Sequence, residues 1–273
     1  MPATLLALMI QSAFRVVFER ESLRLAFLLG VVPSLGAYVG VVLATLNMAA
    51  PAPDAGPVSE AAALAALQTA MVGAVLGYLV AMAAALPFAV RAAGDLLARR
   101  LGAPPAISPG EAVRRAYWLF GQAVGTVALT IMASYIVGLV LPEEGALTSV
   151  AMLLILGALV YVLLGFLQIP GVVFYGERPD IRASFALMRG QRLKLFLFVL
   201  VVAMPFFMAA SLFSTIAQGQ PDGAWVLALF VSLIGGFVNG LSSGPHLVGL
   251  VQAYFARTGQ TPPMIIDQAE PRT

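Results

Sequence analysis

Long apolar runs separated by short polar links dominate the pattern of this chain. Six runs reach the length of about 20 mostly apolar residues that a helix needs to cross a hydrocarbon core of about 30 Å. None of them contains Asp, Glu, Lys or Arg, and none shows the alternation of a membrane β-barrel strand. We therefore predict an all-α polytopic membrane protein, built as a single six-helix domain over residues 1–273. The predicted spans are 25–48, 61–87, 117–141, 147–170, 195–216 and 225–243, followed by a tail over 257–273.

The composition excludes most other classes of protein. Hydrophobic residues make up 60% of the chain and charged residues 10%, whereas a soluble domain carries about 25% charged residues. Mean hydropathy is +0.95. A net charge of +2 does not suit a nucleic-acid binder. With no cysteine and one histidine, the chain lacks thiolate nucleophiles, thiolate metal sites and multi-histidine metal sites.

The charged residues fall on alternate sides of the predicted spans. All 15 basic residues and 8 of the 13 acidic ones lie before span one, after spans two and four, or in the tail, so this side carries a net charge of +7. The charged residues of the other three links are all acidic, and these links carry a net charge of −5. Because cytoplasmic loops hold the excess of Lys and Arg, we predict that both termini are cytoplasmic. The outer acidic residues are Asp54, Glu60, Glu143, Glu144 and Asp222.

The spans with even numbers end alike, in a Pro-x-apolar-Val run that begins at Pro87, Pro170 or Pro245. A short amphipathic stretch precedes each pair of spans, and such helices lie in the headgroup plane. We predict three transmembrane hairpins, each preceded by a short interfacial amphipathic helix, as a parallel threefold repeat. Prolines that merely end membrane helices are the alternative to a true duplication. The amphipathic stretches are 5–18, the one opening with a capping box at Ser108–Glu111, and 180–190.

Small residues spaced for close helix packing occur in four of the predicted spans. Lipid offers no hydrophobic drive for helix association, so glycines that let backbones approach take on that role. One interpretation is a set of tight crossings within the chain, and the other is a dimer face. The Gly-x-x-x-Gly pairs are Gly36/Gly40, Gly73/Gly77, Gly121/Gly125 and the run Gly236/Gly240/Gly244.

The segment 240–244 has the Gly-x-Ser-x-Gly spacing of a nucleophile elbow, and His246 follows Ser242 by four residues. The motif is reactive only on a strand–turn–helix elbow with a histidine and a carboxylate brought from elsewhere. Here it lies on a predicted membrane helix, so helix capping before Pro245 explains the serines better. A pH switch at His246 is the functional alternative to simple backbone bonding. We predict that the protein is not an enzyme and has no catalytic, cofactor-binding or metal-binding residues.

Thr126, Thr130 and Ser134 form a hydroxyl stripe with a spacing of four residues along span three. As a solute path, the stripe predicts a channel or facilitator for a neutral small molecule. The alternative is that each hydroxyl bonds to the carbonyl four residues before it, and the lack of charged groups inside the spans favours it. The further uncharged polar residues near membrane depth are Gln68, Gln122, Gln168 and Asn239.

Basic residues on the predicted cytoplasmic side form an arginine belt. Each such side chain attracts an anionic headgroup by about 1 kcal/mol, although the positive-inside rule alone also demands them. Membrane lipids with anionic headgroups are therefore the predicted partners, and a protein partner or a homodimer is the alternative; nucleic acid is excluded. The belt includes Arg99–Arg100, Arg114–Arg115 and Arg189, Arg192 and Lys194.

The stretch at 171–194 reads GVVFYGERPDIRASFALMRGQRLK, in which an apolar exit after Pro170 leads through an acidic residue to Ala-Ser-Phe-x-Leu-x-x-Gly-x-x-x-Lys. It resembles the six-helix membrane domain fused to some glycerophosphodiester phosphodiesterases, and related bacterial inner-membrane families. The resemblance extends to the junctions at Pro87 and Pro245 and to Tyr254 and Arg257. It implies a multi-pass protein of the bacterial inner membrane and transfers no functional residue. The missing catalytic residues, the interfacial helices and the small-residue packing faces lead us to expect a non-enzymatic protein that acts through lipid or protein partners, in envelope organisation or complex assembly.

Overall fold

The computed structural model describes residues 3–46, 60–102, 104–105, 107–140, 146–177, 179–219 and 224–259. Every regular element in these ranges is helical, which confirms the all-α class. Six helical segments in them are long and apolar enough to cross a membrane, as predicted. The elements are α1 (Ala3–Arg15), α2 (Arg20–Ala26), a π-helical turn (Phe27–Val31), α3 (Val32–Leu46), α4 (Glu60–Leu101), α5 (Pro109–Val140), α6 (Ala146–Gly165), a 3₁₀ turn (Phe166–Gln168), α7 (Ile169–Tyr175), α8 (Ile181–Leu187), α9 (Arg192–Gln218), α10 (Trp225–Gly240) and α11 (Ser243–Thr258).

The helices with even span numbers do not end where the prolines predicted. The second span runs to Leu101 through Pro87, the fourth continues to Tyr175, and the sixth continues to Thr258. A helix of 42 residues such as α4 is about 63 Å long at 1.5 Å per residue. Since that is about twice the thickness of a hydrocarbon core, α4 is long enough to cross a membrane and extend beyond it.

Two prolines alter the helices locally without ending them. Pro33 has no N–H with which to bond the carbonyl four residues before it, and the helix widens into the π-helical turn just ahead of it. Pro170 acts in the same way, and the helix tightens into the 3₁₀ turn at Phe166–Gln168. Both turns re-satisfy backbone groups that lipid cannot hydrogen-bond.

Burial is concentrated in the segments that follow Pro87, Pro170 and Pro245. In each Pro-x-apolar-Val run the apolar residue and the valine are both buried, so the sequence pattern has a common structural meaning. The spans themselves expose many large apolar side chains, as surfaces that face lipid do. The buried pairs are Ala89 and Val90, Val172 and Val173, and Leu247 and Val248.

Contacts divide the chain into two compact units. Unit 1 comprises Met1–Ala13, Gly94–Val201 and His246–Thr273, and unit 2 comprises Phe14–Ala93 and Val202–Pro245. Unit 1 has a core of fully buried apolar side chains from several helices. Its largest members include Met9, Leu96, Leu119, Met188 and Phe198.

Unit 2 is held together where glycines let helix backbones touch. A Cβ on Gly36 would overlap the Gly77 carbonyl, and one on Gly40 would overlap the Gly73 carbonyl. This order of contacts shows that α3 and α4 run in opposite directions where they cross. The run on α10 and α11 packs in the same way on α2 and its π-helical turn. Tight crossings within the chain are thereby confirmed for these glycines. The contacts of the second crossing join Gly236 with Gly30, Gly240 with Ala26, and Gly244 with Ser22.

Gly121 and Gly125 behave differently from the other glycine pairs. No other described part of the chain lies within 4 Å of a Cβ built on either residue. A crossing within the chain is therefore not their role in this structure, and a dimer face at α5 stays a prediction.

The three amphipathic stretches have different outcomes. α1 and α8 are separate short helices, as predicted, but the stretch at Ser108 is not. The Ser108 hydroxyl accepts a 3.3 Å bond from the Glu111 backbone N–H, and the helix then runs without a break from Pro109 to Val140. No breaking residue separates the amphipathic turns from the span, so the prediction of a separate interfacial helix there was wrong. The complete three-hairpin plan and the side of the termini stay predictions; Asp54, Glu143, Glu144, Asp222 and residues 260–273 lie outside the described residues.

Candidate functional site

One side chain caps the short helix α8, and another fixes it against the end of α6. Asp180 caps it, since its carboxylate accepts a 2.9 Å hydrogen bond from the Arg182 backbone N–H. Ser184, which is fully buried, donates a 2.6 Å hydrogen bond to the Gly165 carbonyl, where α6 gives way to the 3₁₀ turn. These bonds leave Arg182 on the exposed side of α8.

A tight turn joins α8 to α9 and determines where the next cations lie. Met188 is completely buried and anchors the turn. Gly190 has a φ of 76°, in the left-handed region that suits glycine. The chain turns at this point, and Arg189 before the glycine and Arg192 after it line the same cavity.

This cavity, which we call the basic cavity, has a volume of about 930 Å³ and lies within unit 1. Four of the described residues that line it are cationic and none is acidic. Its size falls in the range of ligand pockets, roughly 300–1,000 Å³. The lining residues are Arg182, Arg189, Arg192 and Lys194, with Thr126, Tyr161, Ile181, Phe185, Ala186, Gly190 and Leu193.

Arg192 is held against an aromatic wall of the basic cavity. Its Cζ lies 3.6 Å from the ring centroid of Tyr161 and 5.8 Å from that of Phe185, within reach of a cation–π attraction. Phe185 in turn packs edge to face on Phe166, with ring centroids 5.9 Å apart. The Nε of Arg192 is buried and has no hydrogen-bond partner among the described residues. A buried donor without an acceptor costs about 1–3 kcal/mol, so an acceptor in the cavity would relieve Arg192.

The lining of the basic cavity has a cationic part and an apolar part. Tyr161 and Thr126 belong to predicted spans, whereas the four cations precede the predicted span at 195–216. The wall contributed by Tyr161, Phe185 and Leu193 is aromatic and aliphatic. Such a cavity offers cations to a headgroup and apolar surface to the chains attached to it.

The arginine belt separates into residues with different partners. Arg114 and Arg115 both bond to the Glu111 carboxylate, at 2.8 and 3.0 Å. Arg115 also donates from Nη1 to the Gly176 carbonyl at the end of α7. Only a tenth of the Arg115 side chain is exposed, against 79% for Arg114. Arg115 is therefore engaged in holding α5 to α7, and it does not present a free charge to lipid.

Ser242 and His246 are each engaged with backbone. The Ser242 hydroxyl donates a 2.9 Å bond to the Asn239 carbonyl. The His246 Nε2–H donates to the Val199 carbonyl on α9 at 3.0 Å, and the ring packs edge to face on Phe198. The bond of His246 matches the backbone interpretation. The Ser242 bond is directed back to the end of α10, so it is not a cap of α11, and capping by these serines stays a prediction.

The hydroxyl stripe bonds to its own helix. Thr126, Thr130 and Ser134 donate to the carbonyls four residues before them at 2.7, 2.9 and 3.0 Å. The interpretation favoured from the sequence is thus confirmed in geometry, and the donors of the stripe are already used. Asn239 and Gln68 are exposed, whereas Gln168 is buried, and its Oε1 accepts no hydrogen bond in the part of the chain that the structure describes.

Sequence reasoning identified the cations of the site but not their setting. Arg189, Arg192 and Lys194 belonged to the predicted belt, whereas Arg182 and Phe185 lay within the predicted amphipathic stretch at 180–190. Tyr161 was missed, because a tyrosine inside an apolar run carries no signal of what it packs on. The nearest signal is one aromatic residue, Phe185, among the four basic residues between 182 and 194.

No protein-family model matches the chain, and comparison with curated proteins and with solved structures finds no match. The resemblance seen at 171–194 therefore stays a prediction.

Proposed function

We propose that this protein is a non-enzymatic, multi-pass membrane protein that binds an anionic membrane lipid in the basic cavity and acts through that lipid. The observation that carries the proposal is a cavity of about 930 Å³ with four cationic lining residues and an aromatic wall. Anionic headgroups are attracted by about 1 kcal/mol for each nearby Lys or Arg.

Placement in a bacterial inner membrane, with both termini in the cytoplasm, is part of the proposal. It rests on the six apolar helices and on the positive-inside rule applied to the predicted links. The basic cavity then faces the cytoplasmic leaflet, where Arg189 and Arg192 lie at headgroup level. A bound lipid at this position would link α8 and the start of α9 to the surrounding bilayer, and this is the route by which lipid would affect envelope organisation or complex assembly.

The test is native mass spectrometry of the purified full chain with phosphatidylglycerol, and with phosphatidylethanolamine as the zwitterionic reference. The cavity variant is the double substitution Arg189→Gln and Arg192→Gln. The control variant is Arg15→Gln and Arg20→Gln, which removes the same charge from exposed positions outside the cavity. At about 1 kcal/mol per charge, the cavity variant should bind phosphatidylglycerol about 30-fold more weakly.

Wild-type protein should retain phosphatidylglycerol in preference to the zwitterionic lipid, and the control variant should behave like wild type. Equal retention of the two lipids would overturn the proposal. So would an equal loss in the two variants, because net charge and not the basic cavity would then govern binding.

A further inference from the structure

We infer that the lipid bound by the basic cavity carries two phosphate groups, as diphosphatidylglycerol does. This inference rests on the proposed lipid-binding function and specifies its ligand. It is carried by the arrangement of the cations along α8, as distinct from their number.

The cations lie at both ends of α8. Arg182 is in the first turn of the helix, while Arg189 and Arg192 flank the turn after its last residue. Seven residues of helix extend about 10 Å at 1.5 Å per residue. With the side chains of Arg182 and Arg189 extended side by side, their guanidinium groups also lie about 10 Å apart. The oxygens of one phosphate lie within a few ångströms of each other, so one phosphate then does not reach both groups at hydrogen-bond distance.

The space between the two ends is open because of Ala186. Residues 182, 186 and 189 fall at spacings of four and three, so they share one face of the helix, and all three are exposed and line the basic cavity. The alanine side chain is a single methyl group. A short bridge between two phosphates fits above it, whereas a larger side chain would fill the gap.

The end of α8 near Arg192 is the better-defined phosphate position. Its Nε–H is buried without an acceptor, and its guanidinium is held in place by Tyr161. A guanidinium presents its donors in a planar fork that matches phosphate oxygens. The first phosphate therefore lies at Arg189 and Arg192, and the second at Arg182.

A lipid is the source of these phosphates, and a soluble bisphosphate is not. The wall formed by Tyr161, Phe185 and Leu193 adds to affinity by burying apolar surface of the ligand. A ligand with acyl chains gains from this burial, and a soluble bisphosphate does not.

The experiment measures how tightly the full chain binds each anionic lipid in nanodiscs. The nanodiscs contain either phosphatidylglycerol or half that mole fraction of diphosphatidylglycerol, so that the lipid charge is equal. We expect diphosphatidylglycerol to bind at least about fivefold more tightly, the factor that about 1 kcal/mol from one further cation supplies. Arg182→Gln should abolish this preference and leave phosphatidylglycerol binding within about twofold of wild type, since Arg182 is not at the first phosphate.

Ala186→Leu is the steric variant, and it changes no charge. It should also remove the preference, because the leucine occupies the gap between the phosphates. Arg182→Lys keeps the charge and should retain most of the preference, and Arg15→Gln is the control at an exposed arginine outside the cavity. Unchanged thermal unfolding of each variant shows that it is folded.

The outcomes separate this inference from the proposed function. If neither anionic lipid binds above the zwitterionic background, the proposed function fails. If both bind equally at matched charge, or if Arg182→Gln and Ala186→Leu leave the preference intact, the two-phosphate inference is wrong while lipid binding stands. If pyrophosphate in solution displaces diphosphatidylglycerol at equal concentration, the lipid source is wrong.

Discussion

Replacing Arg115 by alanine tests whether burial determines what an arginine of the belt contributes. Its Nη1 donates to the Gly176 carbonyl and its Nε to the Glu111 carboxylate, 3.0 Å away, and the residue is 9% exposed. A hydrogen bond from a charged donor contributes about 1.5–3 kcal/mol. Loss of the bond to Gly176 alone therefore lowers the free energy of unfolding by about 2 kcal/mol, which is about 30-fold in the unfolding equilibrium constant.

Arg114→Ala is the matched control, because Arg114 is the next residue and bonds to the same carboxylate. Its side chain is 79% exposed, and exposed ion pairs contribute little. We expect no measurable change for this variant. Arg115→Lys should fall between wild type and Arg115→Ala, since one ammonium does not reproduce the forked geometry that reaches both acceptors.

The assay is reversible unfolding of the purified chain in mixed micelles of mild detergent and dodecyl sulfate, followed by circular dichroism. The transition midpoint should shift for Arg115→Ala and stay in place for Arg114→Ala. Equal shifts would refute the reasoning, because the buried bond to α7 would then contribute nothing beyond the shared ion pair. A shift in Arg114→Ala alone would contradict the reasoning, because the exposed arginine and not the buried one would then stabilise the protein.

Two further predictions use the same unfolding assay, one with a pair of glycine variants and one with a pair of serine variants. Gly77→Ala should destabilise the chain by about 1–3 kcal/mol, because the added Cβ overlaps the Gly36 carbonyl and separates α3 from α4. Gly125→Ala should instead be neutral or stabilising by up to about 1 kcal/mol, since alanine is the better helix former and nothing lies nearby; similar losses in both would show that helix propensity is not the deciding term. Ser184→Ala should cost about 1–3 kcal/mol by leaving the Gly165 carbonyl without its donor. Ser211→Ala, at an exposed hydroxyl bonded to the Phe207 carbonyl, should stay near wild type, and a matching loss there would contradict the argument.

The membrane helices could be predicted from sequence because their signal is local. A run of 20 apolar residues without charge has few alternatives in any context. The amphipathic stretch at 180–190, where α8 forms, is local in the same sense. Each of these features depends on one continuous segment of the chain, so the sequence alone suffices.

The ends of the spans were less predictable, because proline has two outcomes in a membrane helix. It removes one backbone hydrogen bond, and a π-helical or 3₁₀ turn absorbs the loss when neighbouring groups re-satisfy the backbone. Pro87 and Pro205 lie inside unbroken helices, and Pro170 follows a 3₁₀ turn in a helix that continues. Whether the chain continues as a helix depends on packing beyond the proline, which no local pattern contains.

The basic cavity could not be predicted for a related reason. Arg115 and Arg192 are equivalent in the sequence, as basic residues beside predicted spans. They differ because Arg115 meets Glu111 one turn away and the Gly176 carbonyl 61 residues along the chain. Arg192 meets the faces of two aromatic rings, and its Nε has no acceptor among the described residues. An arginine that finds oxygen acceptors within the protein becomes part of the fold. An arginine whose neighbours are aromatic keeps its demand for an oxygen acceptor, and we propose that the phosphate of a lipid meets it. The same reasoning applies to each remaining arginine of the belt: its acceptors, and not its position in the sequence, decide whether it stabilises the protein or is available to a lipid.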